Sequence, residues 1–170
     1  MEKILLVPHP ILRQKANILT KISSTDLDIA KRMIDIMLQA PGVGLAANQI
    51  GILKQIITVN IYDEKKDKDN IYTLFNPKII LYSQKKILLE EGCLSLPKQY
   101  ADIERPEEIE VEYFNNKNEK IIEKKNGFEA RILQHEIDHL HGKLFVDYLS
   151  SLKRNILIKR VKKLQKMGEI

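Results

Sequence analysis

Residues 135–139 read His135-Glu136-Ile137-Asp138-His139. Two histidines four apart on a helix lie on one face, one turn apart, so both imidazoles can reach a single metal ion. Glu136 projects close to such an ion without having to bind it, and it can take a proton from a water there. Two unrelated histidines on an apolar helix are the competing explanation. A catalytic tetrahedral site needs a third protein ligand and one open position. Metalloproteases that add a third histidine do so after a glycine. Gly142 fits that pattern, but Phe145 stands where the histidine belongs. Metalloproteases that add a glutamate from a following helix find none here: between Leu140 and Gly168 the single carboxylate is Asp147. Cys93 is the remaining strong donor. Gly92 before it and Pro97 after it suggest a tight turn that presents the thiolate. An isolated cysteine is usually a small buried hydrophobe, but a histidine pair lacking a third ligand favours the metal reading.

A second stretch runs Pro41-Gly42-Val43-Gly44-Leu45-Ala46-Ala47-Asn48-Gln49-Ile50-Gly51. Gly42 and Gly44 allow a ligand to approach the backbone closely. Gln49 is a neutral amide that can donate a hydrogen bond to a developing oxyanion. A glycine turn before a buried strand would look the same.

These groups need a scaffold. The apolar spacing of Leu27, Ala30, Met33, Ile34, Met37 and Leu38 predicts a helix over 25–40, capped by Thr25 with Asp28 and stopped by Pro41 and Gly42. Residues 55–60 predict a strand, 63–70 a charged loop and 71–75 its return strand. Glu108-Ile109-Glu110-Val111-Glu112-Tyr113 alternates as a half-buried strand does. Residues 115–118 predict a turn and 119–123 its partner strand. A second helix is expected over 128–141, ended by Gly142. A third, capped by Ser150 or Ser151, should run to Met167 with Leu152, Ile156, Val161 and Leu164 on its apolar side. The expected fold is α+β, with mixed or antiparallel strands around a central metal-binding helix, an N-terminal helix and a C-terminal helix. Residues 1–170 read as a single domain, of which 150–170 form a basic terminal helix.

At 170 residues, 44% hydrophobic and 30% charged, the composition is that of a globular chain and not a disordered or membrane one. No apolar run approaches the length that spans a bilayer. The first ten residues show neither a secretory signal nor a transit peptide, and one cysteine cannot form an internal disulfide; both fit a reducing compartment, the cytoplasm or an organelle matrix of bacterial descent. A monomer is expected. The net charge of +5 permits contact with nucleic acid or an acidic surface without demonstrating it.

Three motifs in order resemble the peptide deformylase family: Gly42-Val43-Gly44-Leu45-Ala46-Ala47-Asn48-Gln49, Glu91-Gly92-Cys93-Leu94-Ser95, and Gln134-His135-Glu136-Ile137-Asp138-His139-Leu140-His141-Gly142. The flanks His9-Pro10-Ile11-Leu12-Arg13 and Gly142-Lys143-Leu144-Phe145 are also similar, and the likeness covers nearly the whole chain. The resemblance implies a hydrolase that removes the formyl group from formyl-methionyl nascent polypeptides. Cys93, His135 and His139 would bind the metal, with Glu136 as general base and then acid. Gln49 and the backbone N–H of Leu94 would hold the oxyanion. Gly44 would pair with an extended peptide, Val43, Leu89, Phe128 and Ile132 would wall a methionine pocket near His135, and Glu91 would join these substrate-binding residues. Arg131 maps to the same wall, where its guanidinium is expected to pair with Glu91; Arg105 is a weaker candidate for supporting the site. The family implies Fe(II) in the cell, with Zn(II), Ni(II) or Co(II) able to substitute. Lys153, Arg154, Lys159, Arg160, Lys162, Lys163 and Lys166 make the last helix basic, either as a solvated face or as a ribosome-docking surface. No membrane and no specific DNA partner are expected. The rival reading is a non-catalytic ribosome-binding domain with a structural metal.

Overall fold

A computed structural model describes residues 3–170; Met1 and Glu2 lie outside the described residues. Helix α1 spans Ser24–Gln39 and is followed by β1 (Gly44–Ala46), β2 (Ile56–Asp63), β3 (Lys68–Tyr82), β4 (Lys86–Cys93), β5 (Leu96–Pro106), β6 (Glu108–Phe114) and β7 (Lys120–Asn126). Helices α2 (Gly127–Leu140) and α3 (Ser151–Lys166) close the chain. The α+β expectation holds. The five-stranded sheet has the order β1-β2-β3-β6-β7, and β4 and β5 form a separate two-stranded sheet. Every ladder is antiparallel, so the mixed alternative is dropped; the parallel pairing among the described residues is the isolated bridge Asn17–Lys54.

The large sheet is covered on both faces. Ile29, Ala30, Met33 and Met37 of α1 pack on Leu45, Ile56 and Phe75. Ala130, Ile132, Leu133, Ile137 and Leu140 of α2 pack on Ile57, Val59, Leu74, Ile109 and Val111 from the other side. β6 alternates as its sequence predicts, with Ile109, Val111 and Tyr113 buried between exposed or half-buried neighbours. A third core joins the small sheet to the C-terminal region through Leu96, Ile103, Phe145, Leu157 and Val161.

Several local expectations change. The cap of α1 is Ser23, not Thr25: the Ser23 side chain accepts from Asp26 N–H, and Asp26 reaches back to Ser23 N–H. That reciprocal pair satisfies two of the orphan donors at the helix start. The return strand β3 is far longer than 71–75, because β2 pairs with its first half and β6 with its second. In α3 the buried apolar residues are Leu157 and Val161, whereas Leu152 and Ile156 are exposed. Residues 86–106 form the β4–β5 hairpin, which the motif reading had reduced to a turn at Cys93.

Candidate active site

The small sheet and α2 meet at the metal motif. β4 ends on Cys93, Leu94 and Ser95 make the turn, and β5 begins at Leu96. The ligand atoms of Cys93, His135 and His139 all lie within 4.8 Å of one another. Cys93 Sγ is 3.3 Å from His139 Nε2, which is 3.3 Å from His135 Nε2. Two nitrogens bound to one tetrahedral ion at about 2.0–2.1 Å would lie about 3.3 Å apart, so the donors stand at the spacing an ion requires. His135 Nδ1 lies 2.9 Å from Glu91 Oε2. A carboxylate only accepts, so Nδ1 carries the proton and Nε2 is left free for a metal. A thiolate with two imidazoles is a donor set suited to zinc or iron-type ions.

Glu91 is the hub of this arrangement. It is buried, and its Oε1 accepts from Arg105 Nε at 2.6 Å and Arg131 Nη1 at 2.9 Å. Its Oε2 accepts from Arg105 Nη2 at 3.1 Å as well as from His135. Burial pushes the Glu91 carboxyl up, but the hydrogen bonds from His135 and Arg105 outweigh it and hold the group at about 2. Arg131, expected to pair with Glu91, does so; it also donates to the carbonyls of Ile103 and Ile87, with its guanidinium buried. Arg105 is no surface charge, being 2% exposed. From Glu91 it reaches across to Asp138 at 2.8 Å and to the Tyr148 hydroxyl at 3.1 Å. One guanidinium thus ties β4 to α2 and to the turn that precedes α3. Asp138 and Tyr148 had no role in the sequence reading, since nothing local marks a residue whose partner is 33 or 43 positions away.

A cleft of about 310 Å³ opens beside these groups. Its walls include Val43 and Gly44 from the β1 region, Glu91, Cys93 and Leu94 from β4 and its turn, Phe128, Ile132, His135 and Glu136 from α2, and Gln49. His139 sits behind, 1% exposed. Leu89 does not line the cleft and is 40% exposed on β4. Tyr100 and Glu90 do line it, although the sequence did not single them out. The signal that could have found them is the pairing of β4 with β5, which sets Tyr100 opposite Gly92.

Glu136 is 5% exposed, and its Oε2 has no hydrogen-bond partner among the described residues. Burial raises its carboxyl to about 7; a bound dication would draw that value down. The space it occupies is reserved by Gly44, where a Cβ would fall 2.5 Å from Glu136 Oε1. Gln49 is locked in orientation. Its Oε1 accepts from Ala46 N–H at 2.9 Å, so its Nε2 points to Ser95 Oγ at 3.1 Å and towards Cys93 Sγ at 3.6 Å. The result is a buried carboxyl, a Cys-His-His donor set and an oriented amide around one cleft.

The polypeptide deformylase family model matches residues 1–155. The chain belongs to that family. It is 40% identical to the peptide deformylase of Rhizobium meliloti (strain 1021), over 98% of this chain and 95% of that protein. It is 41% identical to that of Phenylobacterium zucineum (strain HLK1), over 96% of each. The crystal structure of peptide deformylase from Ehrlichia chaffeensis superposes with a TM-score of 0.93 at 37% identity, covering 99% of this chain and 98% of that one. The same enzyme in complex with actinonin superposes at 0.90, with 38% identity and 95% of each chain covered. Deformylase likeness therefore extends through the cleft, the small sheet and most of α3. No helix among the described residues is long and apolar enough to cross a membrane.

Proposed function

We propose that this chain is a metal-dependent hydrolase that removes the formyl group from N-formylmethionyl polypeptides and releases formate. The observation that carries the reading is Glu136, a buried carboxyl with an unpartnered oxygen, in a cleft bordered by the Cys93–His135–His139 donor set. An ion held there supplies Lewis acidity and a nucleophile near neutral pH. Fe(II) is our choice for the cell, with Zn(II), Ni(II) or Co(II) able to replace it. The protein does the rest. Glu136 takes the proton of the attacking water and returns it to the departing amine nitrogen. Gln49 Nε2 and the N–H of Leu94 receive the oxyanion. β1 is an edge strand, paired with β2 on one side. Its other side is open to receive an extended peptide at Gly44. Val43, Phe128 and Ile132 supply apolar wall for the methionine, with Leu89 at most an outlying contact.

The test is formate release from formyl-Met-Ala-Ser, using protein prepared without oxygen and loaded with Fe(II) or Ni(II). Glu136→Ala should retain metal and lose at least about 100-fold in turnover. Cys93→Ala should lose both metal and turnover. A metal-loaded parent that releases no formate would end the enzymatic reading in favour of a ribosome-binding domain with a structural metal.

We further place the protein in the cytoplasm, docked on the ribosome through α3. Lys159, Arg160, Lys162, Lys163 and Lys166 are all exposed there beside the exposed Leu152 and Ile156. Replacing Lys159, Lys162, Lys163 and Lys166 by Gln should weaken ribosome binding and flatten its salt dependence. Binding with an unchanged salt slope would rule this surface out.

A further inference from the structure

The face of α2 turned away from the cleft borders a second cavity. Gln134, Ile137, Asp138 and His141 recur at helical spacing along that face, whereas Phe128, Ile132, His135 and Glu136 line the cleft. The cavity holds about 580 Å³, against about 310 Å³ for the cleft. That is the size of a small-molecule site. A break in the sheet makes room for it. The β3–β6 register shifts between Phe75 and Lys78 and again between Ile79 and Leu81. A bulge of this kind disrupts the ladder locally and re-aims side chains. At the first shift Asn76 holds φ +50, a left-handed conformation that costs stability in a residue other than glycine. Its side chain clamps Leu19 from both ends, accepting from the Leu19 N–H at 2.8 Å and donating to the Leu19 carbonyl at 2.7 Å.

Two buried amides border the cavity with groups to spare. Gln55 is 6% exposed, and its side chain has no hydrogen-bond partner among the described residues; its backbone alone is engaged. Gln134 is 3% exposed. Its Nε2 donates to the carbonyls of Pro106 and Ala130, which uses both N–H groups and leaves Oε1 without a partner. Buried amide groups left unpaired are costly, so the pair calls for a ligand with donors and acceptors of its own. Ile79 and Ile137 give apolar wall, and Tyr82 adds a ring that is 59% exposed. Lys15 and Lys78 also border the cavity, exposed and without an ion-pair partner among the described residues. The carboxylates there are already engaged, Asp138 with Arg105 at 2.8 Å and Glu112 with Lys120 at 3.2 Å. The unpaired charge around the cavity is therefore positive.

We propose that this cavity binds a mononucleotide. The edge of the base pairs with the amides of Gln55 and Gln134, its face lies on Tyr82, and the phosphate meets Lys15 and Lys78. An inorganic anion or a fatty acid would leave both amides unpaired, and a cation would meet two free lysines. Arg105 and Asp138 also line the cavity, so the nucleotide lies against the network that holds Glu91 behind His135.

The test is isothermal titration calorimetry of the whole protein with AMP, GMP, CMP and UMP, beside ribose 5-phosphate and inorganic phosphate. One nucleotide or more should bind at least about tenfold tighter than ribose 5-phosphate, because the base adds the amide pairing and the ring contact. Gln55→Leu should weaken that nucleotide by about tenfold and leave ribose 5-phosphate little changed. Replacing Lys15 and Lys78 together by Gln should lower the affinity and flatten its salt dependence. Both lysines are exposed, so this variant keeps the fold even if Gln55→Leu does not. The protein with Lys159, Lys162, Lys163 and Lys166 replaced by Gln should bind as the parent does. No binding of any nucleotide, or binding no tighter than that of ribose 5-phosphate, overturns the proposal. So does affinity lost with the α3 lysines and kept without Lys15 and Lys78.

Discussion

The two histidines of α2 sit one turn apart and are held in different ways. His135 is oriented by charge: Glu91 accepts a hydrogen bond from its Nδ1–H, and two buried guanidiniums fix Glu91 in turn. His139 has no such support. It is 1% exposed, and its Nδ1 has no hydrogen-bond partner among the described residues. What fixes its turn is backbone. Gly142 N–H donates to the His139 carbonyl at 3.0 Å, and Ala16 N–H donates to the Leu140 carbonyl at 2.8 Å. Arg13 packs against Gly142 so closely that a Cβ there would fall 2.4 Å from the Arg13 carbonyl oxygen. A donor set that could hold a metal therefore does not need the same device behind every member. One histidine is aimed by a salt-bridged network, and the other is placed by the helix end and the segment clamped onto it.

Removing the network should have the largest effect. Glu91→Gln takes one negative charge from a buried cluster, leaving Arg105 with Asp138 and Arg131 with the carbonyls of Ile103 and Ile87. Breaking a buried ion pair on one side costs about 3–5 kcal/mol, which urea unfolding monitored by circular dichroism would measure. Metal affinity should fall by about 10–100-fold, the usual loss when the partner of a ligating histidine is removed; competition with a chelator would read it. If Glu91→Gln unfolds and binds metal like the parent, His135 is placed by helix packing just as His139 is, and the contrast disappears.

Much of this site was legible in the sequence because its chemistry is local. His135, Glu136 and His139 fall within five consecutive positions, and the helical period alone puts the two histidines together. Cys93 was found by elimination, which needed no fold. The hairpin was not legible: apolar Leu88 faces outward on β4 while charged Glu91 and Arg105 face inward, and this breaks the alternation that would have marked two strands. Arg105 was legible as no more than a weak candidate for supporting the site, and Asp138 not at all, because their partners lie on other elements: Arg105 reaches Glu91 on β4 and Asp138 on α2. The cap of α1 was misplaced because Ser23, Ser24 and Thr25 are all competent caps. The choice of Ser23 is settled by Asp26, whose carboxylate bonds Ser23 and also Lys54, a contact 28 residues away.

The middle-sized effect belongs to the His139 turn. Gly142 has φ +71, in the left-handed region, and no room for a side chain. Gly142→Ala should cost about 1–2 kcal/mol for the backbone conformation alone, and more because Arg13 must move. Metal affinity at a denaturant concentration where the variant is still folded should drop little, since no group bonded to a ligand side chain is lost. A variant that stays stable but fails to hold metal would show that the helix end aims His139 and does not merely anchor it.

The smallest effect calibrates the other two. Asp26 is a second buried carboxylate with a cationic partner: Lys54 Nζ lies 2.6 Å away, but the lysine side chain is 37% exposed. Burial pushes the Asp26 carboxyl up, and the hydrogen bonds from Lys54 and Ser23 outweigh it, leaving the group below its ordinary value. A carboxyl depressed in the folded state contributes stability above its unfolded value of about 3.9 and loses it as pH falls through the folded value. Lys54→Met should therefore destabilise by about 1 kcal/mol or less near neutrality, and parent and variant should converge as pH falls through the folded value and Asp26 is protonated. Urea unfolding across a series of pH values from 7 downward gives both. A Lys54→Met loss as large as that of Glu91→Gln would mean that any buried carboxylate in this fold commands several kcal/mol, and the cluster behind His135 would have no claim to a special strength.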